Sequence, residues 1–289
     1  MPLLLLVSFV WAFSFGLIKG RLAGLDSSFI SAVRLGLALL VFAPFFRPRG
    51  LPLRQALTLA AIGAVQFGLM YLTYNESFKH LLAHEVALFT LTTPILVTLF
   101  ADALDRTFRL RALLAAFLAV AGAAIVIAKT TVTASSLTGF GLVQLSNAAF
   151  AIGQVLYRRE RLRNPALDDR QVFALLYAGG LAVTLPLMLA RTDFSSLALT
   201  QSQIWTLAYL GIIASGICFF LWNLGATRVS AATLAVFNNA KVPLAVACSL
   251  LFFTESANLP RLLLGGALLI AAIALAKATK RSLPKNDPH

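Results

Sequence analysis

The sequence predicts an all-α membrane protein in which ten transmembrane helices form two inverted five-helix repeats around a central cavity. Three observations lead to this fold class. Apolar residues make up 59% of the chain and charged residues only 12%, whereas a soluble domain is about 25% charged. The apolar residues fall into ten runs close to the roughly 20 residues that span a bilayer. One of these runs recurs 148 residues later.

The runs divide the chain into two halves and a short tail. In chain order they are 3–18, 28–46, 56–75, 85–102, 110–128, 138–157, 171–190, 204–224, 231–253 and 260–276. The first has no Lys or Arg before it and no A-x-A cleavage site, so we interpret it as a retained helix rather than a signal peptide. We therefore predict a first repeat over 1–130, a second over 131–277, and a polar tail over 278–289.

Basic residues are distributed unevenly between the loops. Sixteen Lys and Arg fall in one alternate set of loops and six in the other. Because cytoplasmic loops are enriched in Lys and Arg, we predict that both termini are cytoplasmic. Membrane orientation then accounts for the net charge of +13, and we expect no nucleic-acid partner.

The recurrence relates residues 57–75 to residues 205–223 without a gap. The paired positions include Gly63 with Gly211, Gly68 with Gly216, Tyr74 with Trp222, and Asn75 with Asn223. These segments are the third and eighth runs, so each repeat holds five helices. Because five is odd, the second repeat is inserted upside down, which is the design of many secondary transporters.

Polar side chains follow one face of the sixth run. Gln144, Asn147, Gln154 and Tyr157 are spaced by 3, 7 and 3 residues, which places them on a single helical stripe. Such a stripe either lines an aqueous cavity or forms hydrogen bonds between packed helices. Both interpretations remain open at this point.

Two runs contain a proline that follows polar residues. Thr90 lies four residues before Pro94, and Asn238 and Lys241 lie just before Pro243. Proline frees the carbonyl four residues earlier, which is suited to binding a substrate ammonium, and Lys241 is suited to attracting a carboxylate. The alternative is a kinked packing helix in which Lys241 extends toward the interface.

Aromatic residues mark the ends of several runs. Trp11 lies in the first run, Gln66 shares a helical face with Tyr74 in the third, and Trp222 lies in the eighth. They form either interfacial belts or a pocket. In the second interpretation, the pairs Tyr74–Asn75 and Trp222–Asn223 are gates at opposite membrane faces.

Titratable groups inside the runs are few. His84 and Glu85 open the fourth run, where they either sense a proton or an amine or are solvated interfacial charges. Arg34 and Glu255 are candidates for structural ion pairs. Since no buried carboxylate pair is evident, strict proton coupling is not indicated.

Several motifs of enzymes and pumps are absent from the sequence. There is no G-x-x-x-x-G-K-[ST], no H-E-x-x-H and no Cys/His cluster, so we expect no ATP-driven pump, no metal site, no cofactor and no enzyme activity. Cys218 and Cys248 lie inside apolar runs and are interpreted as small buried residues.

A set of weak motifs in a fixed order resembles a known family. Trp11 and Gly16 lie in the first run, and the ninth reads NNAKVPLAVACSLLFFTES, with Pro243 early and Glu255 at its end. The order resembles the EamA type of the drug/metabolite transporter superfamily and, within it, the bacterial exporters of aromatic amino acids. The first half departs from the pattern, because Asp102 and Asp105 stand where the family has Glu.

The resemblance implies a basket-like fold whose cavity is lined by helices 1, 3, 4, 6, 8 and 9. We therefore expect a bacterial inner-membrane carrier, functional as a monomer in the lipid bilayer, that exports aromatic and other neutral amino acids by alternating access. The alternatives are export of other small metabolites or drug-like cations, or a membrane scaffold without transport. The predicted substrate contacts are Trp11, Gln66, Tyr74, Thr90, Asn147, Gln154, Trp222, Asn238 and Lys241.

Overall fold

The computed structural model describes residues 2–47, 50–106, 133–228, 231–253 and 258–278, with single residues at 110, 114, 117–118, 121–122, 125 and 255. For residues 2–3, 227–228, 231–240, 272–273 and 276–278 it describes only the backbone. Most of the predicted fifth helix, 110–128, lies outside the described residues. The number of ten helices therefore stays a prediction.

The described part of the chain is helical and contains no strand. Its helices are α1 (Pro2–Arg21), α2 (Ser27–Phe42), α3 (Leu53–Ser77), α4 (Ala83–Leu104), α5 (Ala134–Arg163), α6 (Asp169–Arg191), α7 (Gln201–Ala226), α8 (Ala231–Phe252) and α9 (Leu259–Ala278). Among the described residues, seven helices, α1 to α7, are long and apolar enough to cross a membrane. The prediction of an all-α membrane protein is confirmed.

Side chains at the helix starts explain where several helices begin. The Asp26 carboxylate accepts hydrogen bonds from the backbone N–H groups of Ser28 and Phe29 at the start of α2. Thr200 and Gln203 form a reciprocal capping box at the start of α7. These contacts pair N–H groups that the helix itself leaves without acceptors.

Both paired segments of the recurrence contain a widened, π-helical turn. In α3 it covers Ala64–Leu69 and in α7 it covers Tyr209–Ile217, which overlap when shifted by 148 residues. In α7 the widened turn exposes carbonyls to side-chain donors. The Tyr177 hydroxyl donates to the carbonyls of Ser215 and Gly216, at 2.8 and 2.7 Å.

Glycines allow the helices of the two halves to pack closely. A Cβ on Gly63 of α3 would lie 1.9 Å from the Leu176 carbonyl oxygen of α6, and a Cβ on Gly211 of α7 would lie 2.6 Å from the Leu37 side chain of α2. Thus α3 packs on α6 while α7 packs on α2. Each paired segment therefore packs on a helix of the other half, and the inverted relation of the two halves stays a prediction.

Candidate functional site

An internal cavity lies where α1, α2, α3, α4, α5, α7 and α8 converge. Its empty space is about 570 Å³, including the part that is open to solvent. It is lined by Trp11, Ser14, Phe15, Arg34, Met70, Tyr71, Tyr74, Thr90, Thr93, Ser146, Asn147, Phe150, Phe219 and Lys241. An apolar wall with a few convergent polar groups is typical of a small-molecule site.

The predicted contact residues divide into three groups. Five line the cavity: Trp11, Tyr74, Thr90, Asn147 and Lys241. Three are buried but absent from the lining: Gln66, Gln154 and Trp222. Asn238 lies in α8, and its side chain is outside the described part of the structure.

Arg34 is the charged centre of one cavity wall. It is 3% exposed, and its guanidinium donates to the Tyr71 hydroxyl at 2.9 Å, to the Ser215 hydroxyl at 3.2 Å and to the Asn75 amide oxygen at 3.4 Å. All three acceptors are neutral. No described carboxylate forms an ion pair with Arg34, so the expected structural ion pair is not found there. A buried cation paired only with neutral groups is suited to bind an anion.

A second basic side chain, Lys241, lines the same cavity. The Nζ atom of Lys241 lies 5.1 Å from the centroid of the Trp11 ring, in cation–π geometry. Trp11 is held in place because its indole Nε1 donates to the Ala214 carbonyl at 2.9 Å, within the widened turn of α7. The lining therefore contains two basic side chains and no acidic one.

The proline helix α4 supplies polar groups through an irregular turn. Residues Thr90–Thr92 form a 3-10 turn just before Pro94. Asn147 of α5 donates to the Phe89 carbonyl and to the Thr92 hydroxyl, both at 3.0 Å. The Thr90 carbonyl, expected to be free, accepts a hydrogen bond from the Thr93 N–H within this turn. Asn147 therefore both bonds to the Phe89 carbonyl of α4 and lines the cavity, so the polar stripe of α5 fits both interpretations.

The buried residues outside the lining form a deeper polar layer. The Gln66 Nε2 donates to the Asn223 Oδ1 at 3.1 Å. Trp222 packs against Trp11 with ring centroids 5.1 Å apart. Gly153, next to Gln154, packs closely against Gln66. A Cβ added to Gly153 would lie 2.3 Å from the Gln66 Cβ.

The four residues of the predicted gates fall into two different layers. Tyr74 lines the cavity and makes edge contacts with Phe15 and Phe78. Asn75 contacts Arg34, whereas Trp222 and Asn223 belong to the deeper layer. Their gating role stays a prediction.

His84 and Glu85 lie outside the cavity lining and contact helix ends. The Glu255 carboxylate accepts hydrogen bonds from the backbone N–H groups of Ala83 and His84, at 2.7 and 3.1 Å, and lies 2.7 Å from the His84 Nδ1. Burial alone would raise the pKa of Glu255, but the hydrogen bonds from His84, Ser249 and the two backbone groups lower it to about 2. Glu255 therefore caps the start of α4 and contacts the His84 ring, which is the partner available for its expected ion pair.

Glu85 accepts a hydrogen bond from the backbone N–H of Leu82 at 2.9 Å, so it also supports the start of α4. The sensing role predicted for His84 and Glu85 stays a prediction.

Sequence reasoning missed several lining residues. Arg34 was assigned to an ion pair, and Met70, Thr93, Ser146 and Phe150 were not proposed as contacts. The signal for Arg34 was present, because a charge inside a membrane segment marks a functional site by default. The signal for Met70, Thr93 and Phe150 was a spacing of three or four residues from predicted contacts. Ser146 lies next to the predicted contact Asn147.

The chain is similar to several known proteins over nearly its whole length. The sequence profile of the EamA-like transporter family matches residues 1–128 and 137–277. A probable biotin transporter of Pseudomonas aeruginosa is 44% identical over 98% of this chain and 99% of the relative. The biotin transporters of Salmonella typhimurium and Escherichia coli K12 are each 38% identical over 94% of this chain and 91% of their own.

One solved crystal structure shares the fold. It superposes with a TM-score of 0.66 over 98% of both chains, at 18% sequence identity. At this sequence identity, the similarity shows only that the two proteins share a fold.

Proposed function

The chain belongs to the EamA-like transporter family, and we propose that it carries a small carboxylate-bearing molecule, with biotin as the leading candidate, across the membrane by alternating access. The relatives that bear a substrate name are biotin transporters. The predicted amino-acid substrate finds no support among them, so we replace it.

The observation that carries this proposal is the buried guanidinium of Arg34 in a cavity without an acidic side chain. A zwitterionic amino acid needs a partner for its ammonium as well as its carboxylate, and a drug-like cation needs an anionic one. The lining, with Arg34 and Lys241, instead favours a monoanion. An arginine binds a carboxylate most strongly when two parallel N–H···O hydrogen bonds join them.

The apolar part of the cavity suits the rest of such a molecule. Trp11, Phe15, Phe150 and Phe219 supply aromatic surface around the two cations. Biotin is a carboxylate on a short alkyl chain that ends in a compact pair of fused rings. Aromatic walls can bury its chain and rings, while the charged groups orient the carboxylate.

Counterflow in proteoliposomes tests this function. Purified protein is reconstituted with unlabelled biotin or unlabelled phenylalanine inside, and uptake of the same labelled compound is followed. We expect accumulation of biotin and none of phenylalanine. Accumulation of phenylalanine alone would restore the amino-acid hypothesis, and accumulation of neither would refute carriage of either substrate.

The arrangement in the membrane is part of the same proposal. We place the chain in a bacterial inner membrane with both termini cytoplasmic, as the loop charges favour, and retain ten helices in two inverted repeats, 1–130 and 131–277, with a tail over 278–289. Single-cysteine labelling of the loops from each side of the membrane checks this topology.

A further inference from the structure

The deeper polar layer lies directly under the cavity, one helical turn away on three helices. Gln66 precedes the lining residue Met70 by four positions in α3, and Gln154 follows Phe150 by four in α5. Asn223 likewise follows the lining residue Phe219 by four in α7. Residues four apart lie on the same helical face, about 6 Å apart along the axis. The layer is therefore the next level of the same central path.

The three amides and the neighbouring indole of this layer are deeply buried. Gln66 is 0% exposed, Gln154 is 5% exposed, and Trp222 and Asn223 are each 1% exposed. Each of the four has one buried polar atom without a hydrogen-bond partner among the described residues. These atoms are the Gln66 Oε1, the Gln154 Nε2, the Trp222 Nε1 and the Asn223 Nδ2.

Buried polar groups in proteins are almost always paired, so four unpaired atoms in one layer require an explanation. Trp11 and Phe219 line the cavity above, with ring centroids 4.8 Å apart, and Trp11 also packs on Trp222 of the layer at 5.1 Å, so we interpret these rings as a barrier between cavity and layer. Alternating access moves a substrate from one side of such a barrier to the other. The layer then becomes accessible in a second conformation.

We propose that Gln66, Gln154, Trp222 and Asn223 form a subsite for a planar neutral group that both donates and accepts hydrogen bonds, of the urea or amide class. The unpaired atoms comprise three donors and one acceptor, and exchanging the oxygen and nitrogen of both bonded amides together preserves that mixture. No charged side chain belongs to the layer, whereas the cavity above it is lined by Arg34. The layer therefore suits a neutral group and the cavity an anionic one. The assignment rests on the proposed transport of biotin, whose ureido ring is such a group.

Competition between two carboxylates tests the subsite. Desthiobiotin keeps the ureido ring, whereas lipoate has a similar carboxylate tail without it. In wild-type proteoliposomes that take up labelled biotin, we expect desthiobiotin to compete roughly tenfold more effectively than lipoate, the discrimination given by about one hydrogen bond. In Gln66→Met and Asn223→Leu, desthiobiotin and lipoate should compete almost equally well with labelled biotin. Competition by lipoate should be as strong as in the wild type.

Gln55→Met is the matched control, because Gln55 lies on the same helix α3 and its amide bonds to Glu160 at 3.0 Å, far from the layer in sequence. It should preserve the discrimination. Equal weakening of both competitors in Gln66→Met, or unchanged discrimination, would overturn the subsite even if biotin is carried.

A second measurement keeps the proposal separate from the transport of biotin. Thermal unfolding of the purified protein is followed with excess 2-imidazolidinone, a cyclic urea without a carboxylate. We expect it to stabilise the wild type and the Gln55→Met variant, but not Gln66→Met. If biotin is not carried and this stabilisation is present, the proposed function fails while the urea subsite stands. If the wild type is not stabilised, the subsite is refuted.

Discussion

Asn75 and Asn223 occupy equivalent positions in the recurrence, yet their surroundings differ. Asn75 accepts a hydrogen bond from Arg34 and donates one to the Ser31 hydroxyl at 2.8 Å. Asn223 accepts only from Gln66, and its own Nδ2 has no partner among the described residues. One copy of the asparagine thus belongs to a charged network whose hydrogen bonds are formed. The other belongs to a neutral layer whose hydrogen bonds are incomplete.

The difference teaches how a duplicated segment can acquire two functions. Two further substitutions between the copies account for it. Tyr71, whose hydroxyl accepts from Arg34, is replaced by Phe219, and Gln66 is replaced by Ala214. The charged network suits the anionic end of a substrate, and the neutral layer suits an uncharged polar end. Substitutions at Arg34 and at the two asparagines test that division, substitutions at two paired glycines compare the packing of the copies, and Glu255→Gln probes a contact elsewhere. We expect the following effects, from the largest to the smallest.

Arg34→Gln tests the charged end and should have the largest effect. Loss of a buried partner for an anion costs about 2–5 kcal/mol, so biotin counterflow should fall by about 30-fold or more. The counterflow rate of Arg34→Lys should lie between those of the wild type and Arg34→Gln, because lysine keeps the charge but loses the bidentate geometry. The initial rate in proteoliposomes is the measurement. Arg170→Gln, at an exposed position, is the control, and wild-type rates in Arg34→Gln would contradict the assignment.

Gly63→Ala and Gly211→Ala test whether the two copies pack with equal tolerance. The added Cβ on Gly63 would overlap backbone of α6, whereas that on Gly211 would meet side-chain atoms alone, 2.6 Å from the Leu37 Cδ1 and 2.7 Å from its Cβ. We expect a loss of about 3 kcal/mol for Gly63→Ala and about 1 kcal/mol for Gly211→Ala, the range for overpacked cores. Chemical unfolding in detergent measures both. Equal losses of stability would show that the two glycine contacts tolerate an added methyl group equally well.

Asn75→Leu and Asn223→Leu address the two networks directly. Asn75→Leu leaves Ser31 and Arg34 each without one partner, which should cost about 1–3 kcal/mol of stability. Asn223→Leu also removes an amide nitrogen that is unpaired, so its net cost should be under about 1 kcal/mol. The same unfolding assay compares them. A larger loss of stability for Asn223→Leu would mean that the hydrogen bonds of the deeper layer are more complete than those around Asn75.

Glu255→Gln probes a contact between the halves that is remote from both networks. The carboxylate caps α4, so the variant should lose about 0.5–2 kcal/mol at pH 7. Because folding lowers the pKa of Glu255 from 4.5 to about 2, its contribution is complete above pH 4.5. It is lost as the pH falls through about 2. The stability difference between wild type and variant should therefore shrink in acid, and a constant difference would exclude the carboxylate as its source.

Much of this architecture could be predicted because it depends on local sequence properties. Composition and run length identify the membrane helices, and the 3, 7, 3 spacing on α5 predicts one polar face, of which Asn147 lines the cavity while Gln154 is buried outside the lining. Contacts between distant segments could not be predicted. Glu255 meets His84 across 171 residues, and no pattern around Arg34 reveals that its partners are neutral.

The widened turns in α3 and α7 have a mechanical consequence. A π-helical turn holds one more residue than an α-helical turn, so tightening it would rotate everything beyond it by about 100°. In α3 that rotation would turn Tyr71 and Asn75 away from Arg34, and in α7 it would withdraw the carbonyls that hold Trp11 and Tyr177. The winding of these two turns therefore fixes which side chains of α3 face Arg34 and which carbonyls of α7 face Trp11 and Tyr177.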